Sequence, residues 1–139
     1  MTGAGSGART IRSRSGAKPA RCCRGSRSCS AGGHFAGSAV LHWREGADGR
    51  GVLLSGDTFL IGSDRATVSF MRSYPNLIPL SERLVRKIDA AIAPWPFDRL
   101  YSGFHPGLIA TDAHSAVQRS AERYIGWIRD DIRDPDERT

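Results

Sequence analysis

The first 33 residues of the chain contain seven Lys or Arg residues and no Asp or Glu, and Ile11 is their only branched aliphatic residue. A segment of this composition cannot bury enough apolar surface to offset the conformational entropy that is lost on folding. We therefore predict a disordered basic tail over residues 1–31, one folded domain over residues 32–133, and a short disordered tail over residues 134–139.

The positive net charge of the chain comes from the N-terminal tail. The whole chain carries a formal net charge of +6, whereas residues 34–139 contain 13 basic and 14 acidic residues and are close to neutral. Three interpretations of the tail stay open: an arm that contacts nucleic-acid phosphates, an organelle transit peptide, or a segment translated out of frame from GC-rich DNA. No aromatic or amide side chain accompanies the arginines, which argues against nucleic acid as a partner.

The sequence also bears on the cellular setting. No apolar run is long enough for a transmembrane helix, and no apolar region follows the basic N-terminus as it does in a secretory signal peptide. These features predict a cytoplasmic protein with no membrane partner. Cys22, Cys23 and Cys29 lack a fourth soft ligand nearby and do not match the spacing of a structural zinc site, so we expect reduced thiols without a structural role.

Beyond residue 32 the chain alternates between strand-like and helix-like patterns. Two short β-rich runs flank the turn-like sequence E-G-A-D-G-R, which predicts a hairpin. An irregular stretch, S-F-M-R-S-Y-P-N-L-I-P-L, either lines a cleft or covers an edge of the core. The predicted elements are strands at Ser38–Trp43 and Gly51–Leu54, a helix between Ser81 and Pro94, a strand at Asp98–Ser102, and a helix from Thr111 or Asp112. This order predicts an α/β (α+β) domain with mainly one sheet and two helices.

Three glycine-containing turns each place a potential metal ligand at the edge of a strand. They are Gly32–Gly37 with His34, Leu54–Thr58 with Asp57, and Tyr101–Gly107 with His105. Imidazole and carboxylate groups are suitable ligands for zinc, iron or manganese. Each residue alone is more often a turn former or an ordinary loop residue. It is the series of three turns in one short domain that favours a metal site.

The remaining histidines and the tryptophans have simpler interpretations. His42 lies within a predicted strand and is expected to be a packed or half-exposed sheet residue. His114 lies in the first turn of the last helix, where a solvated surface group is expected. Trp43, Trp95 and Trp127 are expected to anchor the core or an interface.

The sequence G-G-H-F-A-G-S-A-V-L-H-W, followed by G-V-L-L-S-G-D-T, resembles the second half of the metallo-β-lactamase-fold hydrolases, and the resemblance extends from about Gly32 to about Ile128. It implies that the chain holds part of an αββα sandwich with a dinuclear metal site, most simply of zinc. In such a site the nucleophile is a water molecule activated by the metal ions, so no catalytic side chain is expected. The implied substrate is a small molecule with an ester, amide or phosphoester bond.

The resemblance also assigns roles by position. His34 corresponds to the metal ligand in the family's Gly-His turn, and Asp57 to the aspartate that bridges the two metal ions. His105 corresponds to a later histidine ligand, although Phe104 separates it from Gly103 where the family has Gly and His adjacent. The H-x-H-x-D-H run that supplies most of the family's ligands is absent from the sequence.

The resemblance, together with the absence of the H-x-H-x-D-H run, predicts a truncated hydrolase with weak metal affinity and little or no activity on its own. The DNA upstream, read in another frame, should then encode the missing H-x-H-x-D-H run. Half of a sandwich also exposes the sheet face meant for its partner sheet, which predicts self-association. The alternative is a non-enzymatic small α/β module whose basic N-terminal arm binds nucleic acid or a protein partner.

Overall fold

A computed structural model describes residues 25–135 of the chain. The predictions for residues 1–24 and 136–139, with Cys22 and Cys23 among them, lie outside the described residues. The elements in chain order are β1 (Ser26–Ser30), β2 (Ala39–Trp43), β3 (Val52–Leu54), a 3-10 turn (Gly56–Thr58), β4 (Leu60–Ile61), β5 (Val68–Ser69), α1 (Glu82–Ile92), β6 (Arg99–Tyr101), β7 (Leu108–Ile109) and α2 (Ala113–Ile128).

Five of the strands form one mixed sheet in the order β1-β2-β3-β6-β7, and β4 and β5 form a separate hairpin. Three of the four neighbouring strand pairs are antiparallel, but β3 and β6 are parallel. A parallel pair needs a long crossover connection, and here that connection contains the β4–β5 hairpin and α1. The fold is therefore mixed α+β with one main sheet and two helices, as the sequence predicts.

The predicted elements are found at their expected places. The predicted hairpin is β2–β3, and α1 begins directly after Ser81 and ends before Pro94. Asp112 precedes the first residue of α2. Ser81 and Asp112 are the N-cap residues of the two helices, and neither makes a side-chain capping hydrogen bond. Within residues 25–135, neither helix is long and apolar enough to span a membrane.

The predicted disorder of residues 1–31 is wrong at its C-terminal end, because residues 26–30 form β1. This polar strand, S-R-S-C-S, pairs with all five residues of β2, from Ser26 with Trp43 to Ser30 with Ala39. Its stability comes from the backbone ladder and not from an apolar face of its own, which is why composition does not reveal it. Cys29 packs against the core, and its thiol lies 3.6 Å from the carbonyl oxygen of Ala91, so it also has a structural role.

Both helices pack on the same face of the main sheet. The sheet residues that point toward them belong to one buried cluster with the apolar stripes of the helices. Because side chains alternate between the two faces of a strand, the intervening residues point to the opposite face. The helix-facing sheet residues are Val40, Leu53, Leu100 and Ile109, and the helix residues they meet include Val85, Ile88, Ile92, Val117, Ala121 and Ile125.

The stretch between β5 and α1, residues 70–80, is anchored at both ends. Phe70 packs edge-on against Phe59 and Tyr124, and Met71 is also buried. At the other end, the backbone N–H of Leu80 donates to the hydroxyl of Tyr124 at 2.8 Å. The middle of the stretch is exposed. The ends therefore cover an edge of the core, which is one of the two roles expected from the sequence.

Candidate functional site

The site begins where two parallel strands end. β3 ends at Leu54 and β6 at Tyr101, and because they are parallel, the chain segments that follow them emerge at the same edge of the sheet. These segments are joined by backbone hydrogen bonds: Ser55 N–H donates to the Tyr101 carbonyl at 2.9 Å, and Gly103 N–H donates to the Gly56 carbonyl at 2.8 Å. Asp57 lies in the 3-10 turn at this edge.

Glycine at position 103 permits this close approach. A Cβ atom added there would lie 2.8 Å from Oδ1 of Asp57 and 3.2 Å from the carbonyl carbon of Gly56. Asp57 itself is 55% exposed at its side chain. Its carboxylate makes no hydrogen bond with any residue in the described range 25–135, so it is available to a ligand.

His34 reaches the same edge from the turn that follows β1. The N–H groups of Ala31 and Gly32 both donate to the Ser38 carbonyl at 2.9 Å, which closes the turn around His34. Gly33 has a φ of +89°, and a Cβ there would lie 2.6 Å from Cδ1 of Ile88. The turn is therefore held against α1, and only glycine fits at position 33.

The imidazole of His34 is oriented by a backbone carbonyl. Its Nδ1 lies 3.1 Å from the carbonyl oxygen of Met71, which can only accept a hydrogen bond, so Nδ1 carries the proton. The lone pair of the neutral ring is then on Nε2, which lies 4.0 Å from Oδ2 of Asp57. The ring is 11% exposed. A histidine held in this way has the orientation typical of metal-ligating histidines.

The distance between His34 and Asp57 also bears on metal binding. At 4.0 Å the two atoms are too far apart for a hydrogen bond. Two atoms that bind one tetrahedral zinc ion at about 2.0–2.1 Å lie about 3.3–3.4 Å apart. A movement of well under one ångström by the exposed carboxylate would therefore bring both atoms within ligand distance of a shared ion.

His105 does not complete a triad with this pair. It lies, exposed, in the loop after β6, in an open cleft of about 430 Å³ that is also lined by Arg65, Tyr101 and Phe104. Across residues 25–135, no three His, Cys, Asp or Glu side chains come together as a group that could hold a metal ion. The residues present thus fit two ligand positions but not a complete zinc site, which takes four ligands, or three and a water molecule.

Two histidines outside the site have different environments. His42 is a packed sheet residue, which is one of the two positions expected from the sequence: it is buried, and its Nε2 lies 2.7 Å from the Pro96 carbonyl oxygen. The prediction of a solvated His114 is wrong, because its ring packs edge-on against Phe97 and its Nε2 is buried without a hydrogen-bond partner among the described residues. The first-turn position suggested exposure, but α2 begins against the segment that contains Phe97.

Asp89 is a polar residue that the sequence analysis did not single out. Its Oδ1 is buried, and within the described part of the chain it has no hydrogen-bond partner. Burial raises the pKa of this carboxyl group, and the nearby charge of Glu122 raises it further. Its position in α1 between the buried residues Ile88 and Ile92 is the sequence signal that could have found it.

One curated protein was found to be similar to this chain. It is the Uncharacterized protein YmaE of Bacillus subtilis (strain 168), which is 48% identical over 101 residues, or 73% of this chain and 36% of the relative. The chain thus spans about a third of the length of the relative. Because residues 1–24 and 136–139 are a small part of the chain, most of the match falls on the described residues. No family model and no solved structure matches the chain.

Proposed function

We propose that this chain is the C-terminal half of a metallo-β-lactamase-fold hydrolase and contributes two ligands to its metal site. The observation that carries the proposal is the His34–Asp57 pair, in which Nε2 of His34 lies 4.0 Å from Oδ2 of Asp57 at the shared end of two parallel strands. The expected substrate is a small-molecule ester, amide or phosphoester. A cytoplasmic location is part of the proposal.

Each residue of the pair has a distinct role. His34 supplies a neutral imidazole nitrogen whose direction is fixed by the Met71 carbonyl. Asp57 supplies an exposed carboxylate with two oxygen atoms, which suits a bridging ligand. When bound, a pair of zinc ions would polarise the scissile bond and lower the pKa of a water molecule. Two ligands do not hold such ions, and the 139-residue chain is therefore expected to be inactive by itself.

The arrangement of the sheet supports the same proposal at the level of the fold. One sheet with both helices on one face corresponds to half of an αββα sandwich. Nearly two thirds of the Bacillus relative lies outside the match, which leaves room for a second half with further ligands. We propose that the complete site forms only when this half is joined with such a segment.

The proposal is tested by titrating the 139-residue protein with Zn²⁺ and following its histidine ring signals by NMR. We expect weak binding that shifts the His34 signals first. His34→Ala and Asp57→Asn should each weaken binding about 10-fold or more, because each removes one ligand. Asp48→Asn is the matched control, since Asp48 is an exposed carboxylate remote from the site.

Two outcomes would contradict this proposal. Equal zinc binding by the wild type and by the His34→Ala and Asp57→Asn variants would show that the pair is not a ligand set. Retention of about one or more zinc ions per chain after purification would contradict the expected weak affinity, since it requires a closed site.

A second candidate function rests on the charge of the N-terminal segment, which carries seven basic residues within residues 1–33. In that case the chain is a non-enzymatic module whose arm binds nucleic acid or a protein. Deletion of residues 1–24 separates the two functions and leaves β1 intact. The first predicts unchanged zinc titration, whereas the second predicts the loss of a salt-sensitive binding activity.

A further inference from the structure

Three aromatic side chains border the His34–Asp57 pair, and each comes from a different loop. Phe35 lies in the turn that follows β1, Tyr74 in the stretch between β5 and α1, and Phe104 in the loop after β6. None of the three belongs to the buried apolar cluster of the described residues. Phe35 is 58% exposed and Tyr74 is 64% exposed. We call these three residues the aromatic border.

Phe35 lies on the His34 side of the pair. The two ring centroids are 5.9 Å apart, with the rings edge to face at 73°. The N–H of Phe35 donates to Oγ of Ser38 at 3.2 Å, and the N–H of Ser38 donates to the Phe35 carbonyl at 3.1 Å. A Cβ atom added at Gly37 would lie 3.0 Å from the Phe35 ring. The phenyl ring is therefore held beside the imidazole although it is exposed.

Phe104 lies on the Asp57 side of the pair. It directly follows Gly103, where an added Cβ would lie 2.8 Å from Oδ1 of Asp57. Its ring centroid is 5.5 Å from that of Tyr74. Phe104 and Gly103 also line the open cleft of about 430 Å³, a volume within the range of small-molecule sites, about 300–1,000 Å³. There is thus room for a ligand next to the carboxylate.

Tyr74 belongs to the same segment that orients the imidazole. The N–H of Arg72 donates to the Ile78 carbonyl at 2.7 Å, which closes the loop around Tyr74. The carbonyl of Met71, directly before this loop, lies 3.1 Å from Nδ1 of His34. The ends of the stretch cover the core, and its exposed middle places an aromatic ring at the site.

We propose that the aromatic border binds an aromatic ring of the substrate, which is then an ester, amide or phosphoester with an aryl group next to the scissile bond. Aromatic rings attract one another in edge-on and offset arrangements beyond the gain from burial, whereas a saturated group gains from burial alone. Because Phe35 contacts His34 and Phe104 follows the glycine beside Asp57, a ring bound at the border lies close to a bond held at the pair. This inference rests on the proposed function, because it names the substrate class of the same site.

NMR titration of the 139-residue protein with two amides that differ only in one ring tests the inference. N-benzylacetamide carries an aromatic ring, and N-(cyclohexylmethyl)acetamide carries its saturated counterpart. We expect the aryl amide to bind at least about 3-fold more tightly and to shift the ring signals of Phe35 and Tyr74. The titration needs no zinc, because the three rings belong to this chain.

Tyr74 allows a matched pair of variants, since its exposed side chain can be changed without disturbing the core. Tyr74→Phe keeps the ring and should bind N-benzylacetamide as the wild type does. Tyr74→Leu removes the aromatic ring and should weaken binding about 3-fold or more. Trp127→Leu is the control, because Trp127 is an exposed aromatic residue on α2, and it should leave binding unchanged.

Equal affinity for the two amides would overturn the inference, and so would equal binding by Tyr74→Phe and Tyr74→Leu. Zinc binding at His34 without binding of the aryl amide would overturn this inference alone. Binding of the aryl amide at the aromatic border without zinc binding at His34 would instead contradict the proposed hydrolase and leave the aromatic-ring site standing.

Discussion

The direction of a single lone pair at His34 depends on atoms from three separate parts of the chain. The Ala31–Ser38 turn positions the ring, the Met71 carbonyl holds the proton on Nδ1, and Asp57 faces the remaining nitrogen. The histidine and the aspartate were identified from the sequence because both lie in glycine-containing turns beside strands. The role of Met71 could not be predicted, because a backbone carbonyl has no sequence signature.

Gly103 provides a test of how closely the loop after β6 constrains Asp57. Gly103→Ala should displace the Asp57 carboxylate, because the new Cβ would lie 2.8 Å from Oδ1. We expect zinc binding to weaken several-fold with a loss of stability of about 1 kcal/mol or more, measured by titration and urea unfolding. Gly126→Ala is the control, since its new Cβ would meet only the flexible Ile132 side chain. Unchanged zinc binding in Gly103→Ala would show that zinc binding by Asp57 does not depend on the close approach of residue 103 to its carboxylate.

The raised pKa of Asp89 predicts that the wild type and an Asp89→Asn variant differ in stability by an amount that depends on pH. Burial raises the pKa of this carboxyl in the folded protein above its ordinary value of 3.8, so the folded state favours the protonated form. The contribution of the protonated Asp89 carboxyl to the free energy of unfolding is fully present below about pH 3.8, and it is lost as the pH rises through the folded-state pKa. Asp89→Asn should therefore be more stable than the wild type at pH 7, and its advantage should shrink toward pH 3.8. Urea unfolding at both pH values measures this, and an equal difference at both would contradict it.

At the scale of elements, the longer pieces of the fold could be predicted and the shortest could not. α1 and α2 have 11 and 16 residues, which is long enough to show an apolar stripe. The strands β4, β5 and β7 have two residues each, too few for an alternating pattern. Such short strands form because neighbouring segments are already in place to pair with them. β1 could not be predicted for a related reason, because its backbone pairing with β2, and not an apolar pattern of its own, holds it in the sheet.

The β4–β5 hairpin depends on a hydrogen bond from α2. The buried N–H of Val68 donates to the hydroxyl of Ser120 at 3.0 Å. Ser120→Ala leaves this N–H without its acceptor and should lower the free energy of unfolding by about 1–3 kcal/mol. Ser63→Ala, at an exposed position between the two strands, should change it by less than about 0.5 kcal/mol. Urea unfolding of both variants measures the difference, and equal effects would show that the bond contributes nothing.

At the scale of the whole molecule, the boundary between the N-terminal segment and the folded domain lies earlier than composition indicates. Basic and serine-rich residues continue through β1, so the charge pattern gives no sign that the fold has begun. The α+β class and the one-sheet arrangement could be predicted, because the order of apolar runs determines them. Whether His105 lies close enough to His34 and Asp57 to be a third ligand could not be predicted from the spacing alone. It depends on the path of the loop that follows β6.

Two deletions test where the fold begins. Removal of residues 1–24 should leave the melting temperature within about 2 °C of the wild type, because the composition of this segment predicts that it buries little apolar surface. Removal of residues 1–31 should lower it by about 4 °C or more, since it takes away the β1–β2 ladder and exposes the edge of β2. Thermal unfolding followed by circular dichroism compares the two. Equal melting temperatures would show that β1 adds nothing to the stability of the sheet.

The position of β1 at the outer edge of the sheet has a mechanical consequence. Tension on the segment before residue 25 enters the domain through five backbone pairs and then reaches the turn in which Ala31 and Gly32 share the Ser38 carbonyl. A pull strong enough to peel this strand away would also disturb the turn that positions the imidazole at position 34. A partner that binds and pulls on the arginine-rich N-terminal segment would in this way change the geometry of the site.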